Sequence, residues 1–98
     1  MKYALVTGGS RGIGRAVCEK LSEMGFHIMI NFQSNLVEAE KTLDLVKSNG
    51  GSGEIIQFDI SSQVEVENAL GGWQQNNPGQ YIHVLVNNAG IRKEELIM

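Results

Sequence analysis

Short continuous apolar runs alternate along this chain with stretches in which apolar residues recur every three or four positions. Continuous runs are typical of strands, and the first of them lacks polar alternation, as expected for a parallel sheet that is covered on both faces. Four such runs predict strands at residues 2–6, 26–31, 54–58 and 81–86.

Three stretches with helical spacing lie between the predicted strands. The first helix is predicted over residues 12–24, and the other two open on capping pairs, Asn35 with Glu38 and Ser62 with Glu65. The predicted apolar stripes are Ile13, Val17, Leu21 and Met24 in the first helix, Leu36, Ala39, Leu43 and Val46 in the second, and Val66, Ala69, Leu70 and Trp73 in the third.

This alternation of strands and helices predicts an α/β fold. Pairing rules favour a partial Rossmann, or doubly wound, fold with a parallel sheet of strand order 3-2-1-4. The switch point then lies between the first and fourth strands, so a ligand is expected outside their carboxyl ends. A further helix would begin at Glu94 without being completed, and we therefore expect a fold truncated after the fourth strand.

Composition narrows the possible functions. The 98 residues allow one small domain, and their 42% hydrophobic content is enough for a core. The net charge of −3, with scattered basic residues, predicts neither a nucleic-acid nor a membrane partner. A single cysteine, Cys18, and a first strand that follows Met1 and Lys2 at once are expected of a cytoplasmic protein without a signal peptide. Metal-ligand spacing is absent from the sequence, so no metal site is predicted.

The turn after the first strand is rich in glycine. A glycine turn between a strand and a helix suits a dinucleotide phosphate, because the backbone must approach the pyrophosphate closely and the helix must present free N–H groups. The glycine pattern alone is weak evidence, and its position between strand and helix strengthens it. The residues of this turn predicted to contact the cofactor are Gly8, Gly9, Ser10, Arg11, Gly12, Ile13 and Gly14.

Two features favour NADP(H) over NAD(H). Arg11 can reach the ribose 2′-phosphate, although a solvated turn residue is the alternative interpretation. NAD-specific sites usually carry Asp or Glu at the end of the second strand, whereas this chain has Asn31, Gln33 and Ser34 there. These three residues are predicted to line the cofactor site, where Gln33 offers a hydrogen bond but no charge.

Two motifs, Thr7-Gly8-x-x-x-Gly12-x-Gly14 and Asn87-Asn88-Ala89-Gly90, resemble the signatures of the short-chain dehydrogenases/reductases. The flanking residues are most similar to those of the 3-oxoacyl-acyl-carrier-protein reductases. The resemblance implies that Asp59 and Ile60 hold the adenine, that Asn87 stabilises the sheet and touches the ribose, and that the small residues Ala89 and Gly90 lie beneath it. The alternatives are that Asp59 caps its own turn and that the asparagines form a purely structural turn.

By the same resemblance, the reaction is NADPH-dependent reduction of a carbonyl, most simply that of a 3-oxoacyl group on acyl carrier protein in fatty acid synthesis. The family's catalytic Ser, Tyr and Lys are expected in a later part, because neither Tyr3 nor Tyr81 begins a Tyr-x-x-x-Lys motif. No catalytic residue is therefore predicted within residues 1–98, which we interpret as the NADP(H)-binding N-terminal portion of a reductase, inactive by itself.

The resemblance also implies a homotetramer for a full-length reductase. The open edge of the fourth strand predicts that the isolated chain self-associates or loses order near Arg92–Met98. Two other functions remain open: a non-catalytic NADP(H)-binding module, and a short-chain reductase that acts on another ketone or alcohol. An extended-type epimerase or dehydratase is disfavoured because Gly8, Gly12 and Gly14 do not have its Gly-x-x-Gly-x-x-Gly spacing.

Overall fold

The computed structural model describes residues 1–10 and 12–88, and the helix expected from Glu94 lies outside them. Strands and helices alternate as the sequence predicts. The elements are β1 (Tyr3–Thr7), α1 (Gly12–Glu23), β2 (His27–Phe32), α2 (Leu36–Ser48), β3 (Ser52–Gln57), α3 (Gln63–Asn76) and β4 (Ile82–Asn87). The first and last strands end one residue later than predicted, because Thr7 and Asn87 pair with each other in the sheet.

The four strands form one parallel sheet of order β3-β2-β1-β4, as predicted. Strand β1 lies between two neighbours and all of its residues are buried. Strand β4 pairs with β1, and half-buried residues alternate along it with exposed ones. Its exposed face includes Leu85. Within the described part of the chain, β4 is therefore an edge strand with one uncovered face.

Helices cover the sheet from both sides, with a hydrophobic cluster under each layer. Helices α1 and α2 cover one face through Cys18, Ala39 and Val46, and Trp73 of α3 covers the other. The strand residues that fill these clusters are Ala4, Val6, Ile28, Ile30 and Phe32 on the first face and Tyr3, Leu5 and Met29 on the second. The predicted stripe of α3 is confirmed, since Val66, Ala69 and Leu70 pack around Trp73.

The predicted stripes of the first two helices are wrong at their ends. Ile13 is 74% exposed, Met24 64% and Leu36 47%. Ile13 and Leu36 lie in the opening turns of their helices, at the carboxyl edge of the sheet, and Met24 lies beyond the last residue of α1. The fully buried positions of α1 are Gly14 and Cys18, and the predicted Val17 and Leu21 pack half-buried against the same cluster. Helical periodicity predicted the buried face of each helix but not where that face runs past the sheet.

Candidate functional site

An open cleft of about 220 Å³ lies at the carboxyl ends of the first three strands. It opens beside the glycine turn and extends towards the ends of β2 and β3. Its lining comprises Gly8, Ser10, Asn31, Phe32, Gln33, Ser34, Asn35, Phe58 and Ile60. Six of these were predicted to bind the cofactor from sequence: Gly8, Ser10, Asn31, Gln33, Ser34 and Ile60. The structure thus brings residues from three separate turns to one site.

The glycine turn is shaped by a close approach between two backbone segments. A Cβ atom on Gly14 would lie 2.0 Å from the Gly8 carbonyl oxygen and 2.9 Å from the Gly9 Cα atom. The first turn of α1 can therefore pack directly on the β1 exit only if residue 14 has no side chain. Gly8 and Gly12 both have left-handed φ angles, 66° and 62°, which other L-residues rarely adopt. The turn thus brings the N-terminus of α1, an end that favours anions, next to Gly8 and Ser10 of the cleft.

Asn31 joins the ends of the three strands through its buried carboxamide. Only 2% of this residue is exposed. Its Oδ1 atom accepts from the Gly8 N–H at 3.3 Å, while Nδ2 donates to the Phe58 carbonyl at 3.1 Å and to the Ile56 carbonyl at 3.3 Å. Backbone groups thus engage both ends of the amide. Asn31 lines the cleft, but its polar atoms are bonded to backbone groups and so maintain the shape of the cleft.

The opposite side of the cleft is more exposed. Gln33 Nε2 lies 3.4 Å from Asp59 Oδ2, and the Gln33 carbonyl accepts from Gln57 Nε2 at 3.0 Å. Asp59 Oδ1 accepts from the backbone N–H of Ser61 at 2.9 Å and from its hydroxyl at 2.7 Å. These hydrogen bonds, the hydroxyl first, lower the pKa of the Asp59 carboxyl. Asp59 therefore caps its own turn, which leaves Oδ2 facing Gln33.

The β4 exit lies against the glycine turn. The Asn88 side chain donates to the Gly8 carbonyl at 3.2 Å, and the Asn88 N–H donates to the Thr7 hydroxyl oxygen at 2.9 Å. The Thr7 hydroxyl also lies 3.2 Å from Asn87 Oδ1. The two sequence motifs are therefore adjacent at the switch point. The predicted contacts of Arg11, Ala89 and Gly90 lie outside the described residues.

Sequence reasoning missed a set of side chains behind the turn. Arg15 Nη2 donates to the Ser10 carbonyl and also reaches the Glu38 carbonyl and Oε1, both at 3.1 Å. Arg15 Nε donates to the hydroxyl of the fully buried Thr42 at 2.9 Å. The sequence position of Arg15 could have indicated this role, because Arg15 is next to Gly14 and three residues before Cys18, the two buried residues of α1.

The remaining chemistry-bearing residues lie apart from the cleft or are inert. Burial raises the pKa of the Cys18 thiol to about 12, so this cysteine is not a nucleophile at neutral pH. His27 bonds Glu54 at 2.8 Å, and His83 accepts from the Tyr3 N–H at 3.3 Å, both near the opposite end of the sheet. Among residues 1–10 and 12–88, no group of side chains could hold a metal ion. No helix in these two ranges is long and apolar enough to span a membrane.

Comparison with known sequences gives one family. Residues 2–97 match the family model described as short chain dehydrogenase. The uncharacterized oxidoreductase YgfF of Escherichia coli is 41% identical over 91 residues, which cover 93% of this chain and 36% of that protein. The 3-oxoacyl-[acyl-carrier-protein] reductase FabG of Staphylococcus epidermidis is 36% identical over 99 residues, 99% of this chain and 39% of that protein.

The chain thus spans less than two fifths of these two relatives. A third relative is shorter: the short-chain dehydrogenase/reductase homolog YusS of Bacillus subtilis is 35% identical over 92 residues, 94% of this chain and 83% of that protein.

Solved structures agree with the fold. A putative gluconate dehydrogenase from Agrobacterium tumefaciens superposes with a TM-score of 0.84 at 36% identity, over 93% of this chain and 35% of that one. A metagenomic short-chain oxidoreductase in complex with NADP gives 0.83 at 29% identity, over 92% and 39%. The four-stranded sheet therefore corresponds to part of a larger Rossmann fold in these proteins.

Proposed function

Because this chain belongs to the short-chain dehydrogenase family, we propose that its cleft binds NADP(H) and that the chain is the cofactor-binding N-terminal portion of a carbonyl reductase. One observation carries the proposal. The first turn of α1 packs directly on the Gly8 backbone, a contact that any side chain at residue 14 would prevent, and this packing holds the N-terminus of α1 beside an open cleft. This is the arrangement that a dinucleotide phosphate requires.

The preference for the 2′-phosphorylated cofactor rests on the end of β2. The residues that line the cleft there, Gln33, Ser34 and Asn35, include no carboxylate that would pair with a free ribose 2′-hydroxyl or repel a phosphate. We assign the 2′-phosphate contact to Arg11, and the adenine contact to Asp59 and Ile60. A related short-chain oxidoreductase was solved with NADP, which supports this choice of cofactor.

The reaction proposed for the whole protein is transfer of a hydride from NADPH to a carbonyl carbon. The cofactor supplies the hydride, and the residues of this chain bind and orient it. The proposed substrate is a 3-oxoacyl group on acyl carrier protein, reduced to the 3-hydroxyacyl form during fatty acid synthesis. Similarity to a FabG reductase supports this substrate, and similarity to YgfF leaves another ketone or alcohol as the alternative.

A second candidate is a non-catalytic NADP(H)-binding module. The favouring observation is YusS, a relative of which this chain covers 83%. The two candidates differ in one measurement: ketone-dependent NADPH oxidation. Both candidates predict no such activity from the 98-residue chain, so the assay separates them on a longer form of the protein, which would be active if it is a homotetrameric reductase. We also propose that the 98-residue chain is cytoplasmic and self-associates through β4.

Calorimetric titration of NADPH and NADH tests the cofactor assignment. We expect NADPH to bind more tightly, because Arg11 pairs with the 2′-phosphate. Arg11→Ala should then weaken NADPH binding by about tenfold and NADH binding much less. Equal losses for the two nucleotides would contradict the assigned role of Arg11, and failure of the unaltered chain to bind either nucleotide would contradict the proposed function.

A further inference from the structure

A half-buried ion pair connects the first turn of α1, directly after the glycine turn, to the first turn of α2. The side chains of Arg15 and Glu38 are 26% and 21% exposed, and their charged atoms lie 3.1 Å apart. Thr42, which accepts from Arg15, lies 2.8 Å from the Ser10 carbonyl, to which its hydroxyl can donate. The Ser10 carbonyl is therefore held by Arg15 and Thr42 together. Because Ser10 lines the cleft, this network fixes one side of the cleft from behind.

Two cations share the Glu38 carboxylate. Arg15 Nη2 binds Oε1 at 3.1 Å, and Lys41 Nζ binds Oε2 at 3.0 Å. Hydrogen bonds from Lys41 and Arg15, in that order, hold the pKa of the Glu38 carboxyl below its usual value, so the group is ionised at neutral pH. Two positive groups and one negative group leave this trio with a net positive charge.

The trio lies close to the part of the cleft that follows β2. The Glu38 N–H donates to the side chain of Asn35, which lines the cleft. Only the Arg15 guanidinium separates the Glu38 carboxylate from the Ser10 carbonyl. The carboxylate is thus well within one Debye length of the cleft, about 8 Å at physiological ionic strength. An unpaired carboxylate at this position would repel a phosphate bound beside Ser34 and Asn35.

We propose that Arg15 and Lys41 set the preference for the 2′-phosphorylated nucleotide by neutralising Glu38, and that Arg15 also positions Ser10. The inference rests on the proposed binding of NADP(H). Neither cation needs to touch the nucleotide. Arg15 is a positioning residue in this role, because it acts through the Ser10 carbonyl and the Glu38 charge. The direct phosphate contact assigned to Arg11 is separate from this effect.

The test compares dissociation constants of NADPH and NADH for the 98-residue chain, measured by calorimetry at constant ionic strength. Arg15→Met should weaken the binding of both nucleotides by a common factor, because the Ser10 carbonyl loses a donor. It should weaken NADPH binding by about a further 5-fold, because Glu38 loses the less exposed of its two cations. Adding Glu38→Gln to Arg15→Met should restore the NADPH-to-NADH ratio but leave the common loss. The charge-matched control is Lys20→Met, which removes an exposed lysine paired with Glu23 in the last turn of α1 and should leave the ratio unchanged.

Two variants keep the test decisive if Arg15→Met does not fold. Lys41→Met alters an exposed side chain and should lower the ratio by a smaller factor, while Glu38→Gln alone should raise it. A ratio that does not change in these variants overturns the inference, even if both nucleotides bind. If the unaltered chain binds neither nucleotide, the proposed function fails instead. A ratio change that shrinks at high salt supports the charge-based account.

Discussion

The two sides of the cleft are built differently. The inner wall, formed by Gly8, Asn31 and Phe58, is held by hydrogen bonds between a buried carboxamide on β2 and backbone groups at the ends of β1 and β3. The outer wall, formed by Gln33 and Ile60 next to Asp59, is half-buried or exposed. Its hydrogen bonds join Gln33 to Asp59 across the ends of β2 and β3, and Asp59 to Ser61 within one turn. The inner wall is therefore fixed by the fold, whereas the outer wall can adjust to a ligand.

This difference separates stability from specificity. A buried donor or acceptor that loses its partner costs about 1–3 kcal/mol, because it was removed from water for that bond. An exposed side chain that loses a partner bonds water instead. Changes in the inner wall should thus alter the free energy of unfolding and all nucleotide binding together. Changes in the outer wall should alter the choice between nucleotides at nearly constant stability.

The largest effect is expected from Gly14→Ala. Its Cβ would lie 2.0 Å from the Gly8 carbonyl oxygen, so α1 or the β1 exit must move. We expect the free energy of unfolding to fall by about 3 kcal/mol and nucleotide binding to be lost with it. Urea denaturation and calorimetry measure the two effects.

The control for this substitution is Gly71→Ala in α3. A Cβ on Gly71 meets no atom within 4 Å, and alanine favours helix, so this variant should be more stable by about 0.5–1 kcal/mol. If Gly14→Ala is as stable as the unaltered chain, the inner wall is not set by backbone contact.

The next largest effect is expected from Asn31→Ala. This change leaves the Gly8 N–H and the Phe58 carbonyl without the Asn31 side chain. We expect a loss of about 2 kcal/mol in the free energy of unfolding, measured by urea denaturation. Gln33→Ala, at the exposed outer wall, is the matched control and should change stability by less than about 0.5 kcal/mol. Equal losses for Asn31→Ala and Gln33→Ala would remove the distinction between the walls.

Sequence reasoning predicted both helix caps because they depend on local spacing, and it predicted the strand order because pairing rules for alternating strands and helices favour it. Asn35 and Ser62 each accept from the N–H three residues later, as their spacing indicates. Six of the nine cleft-lining positions were also predicted, since parallel strands bring their carboxyl ends to one edge of the sheet.

The partners of individual side chains could not be predicted in this way. Asn31 was predicted to line the cofactor site because no carboxylate stands at the end of β2. In the structure, its amide is bonded to backbone groups at the ends of two other strands. Arg15 and Thr42 are far apart in the chain and meet only because α1 packs beside α2. Contacts of this kind depend on tertiary packing, which periodicity does not encode.

A smaller effect is expected from Gln33→Arg in the outer wall. A guanidinium there would add a positive charge beside the proposed 2′-phosphate and should raise the NADPH-to-NADH affinity ratio by about 5-fold. Stability should not change, because the Gln33 side chain is exposed. The control is Gln74→Arg, an equal charge change on an exposed position of α3. A change in ratio that Gln74→Arg reproduces would reflect net charge alone and would contradict a site at Gln33.

The smallest effect is expected from the Asp59 carboxylate, and it has a definite pH dependence. Hydrogen bonds from Ser61 lower the pKa of Asp59 in the folded chain below its ordinary value of 3.8. The stabilisation is therefore present above that value and is lost as the pH falls through the folded pKa.

Asp59→Asn cannot ionise, so the difference in free energy of unfolding between the two chains should shrink as the pH drops below 3.8. Glu38 titrates in both chains, and its contribution cancels. Urea denaturation at pH 6 and pH 3 measures this difference, and a difference that stays constant would mean that the Ser61 bonds do not favour the ionised form. Because Asp59 is at the outer wall, Asp59→Asn should weaken NADPH binding more than it weakens the fold, the reverse of the order expected for Asn31→Ala.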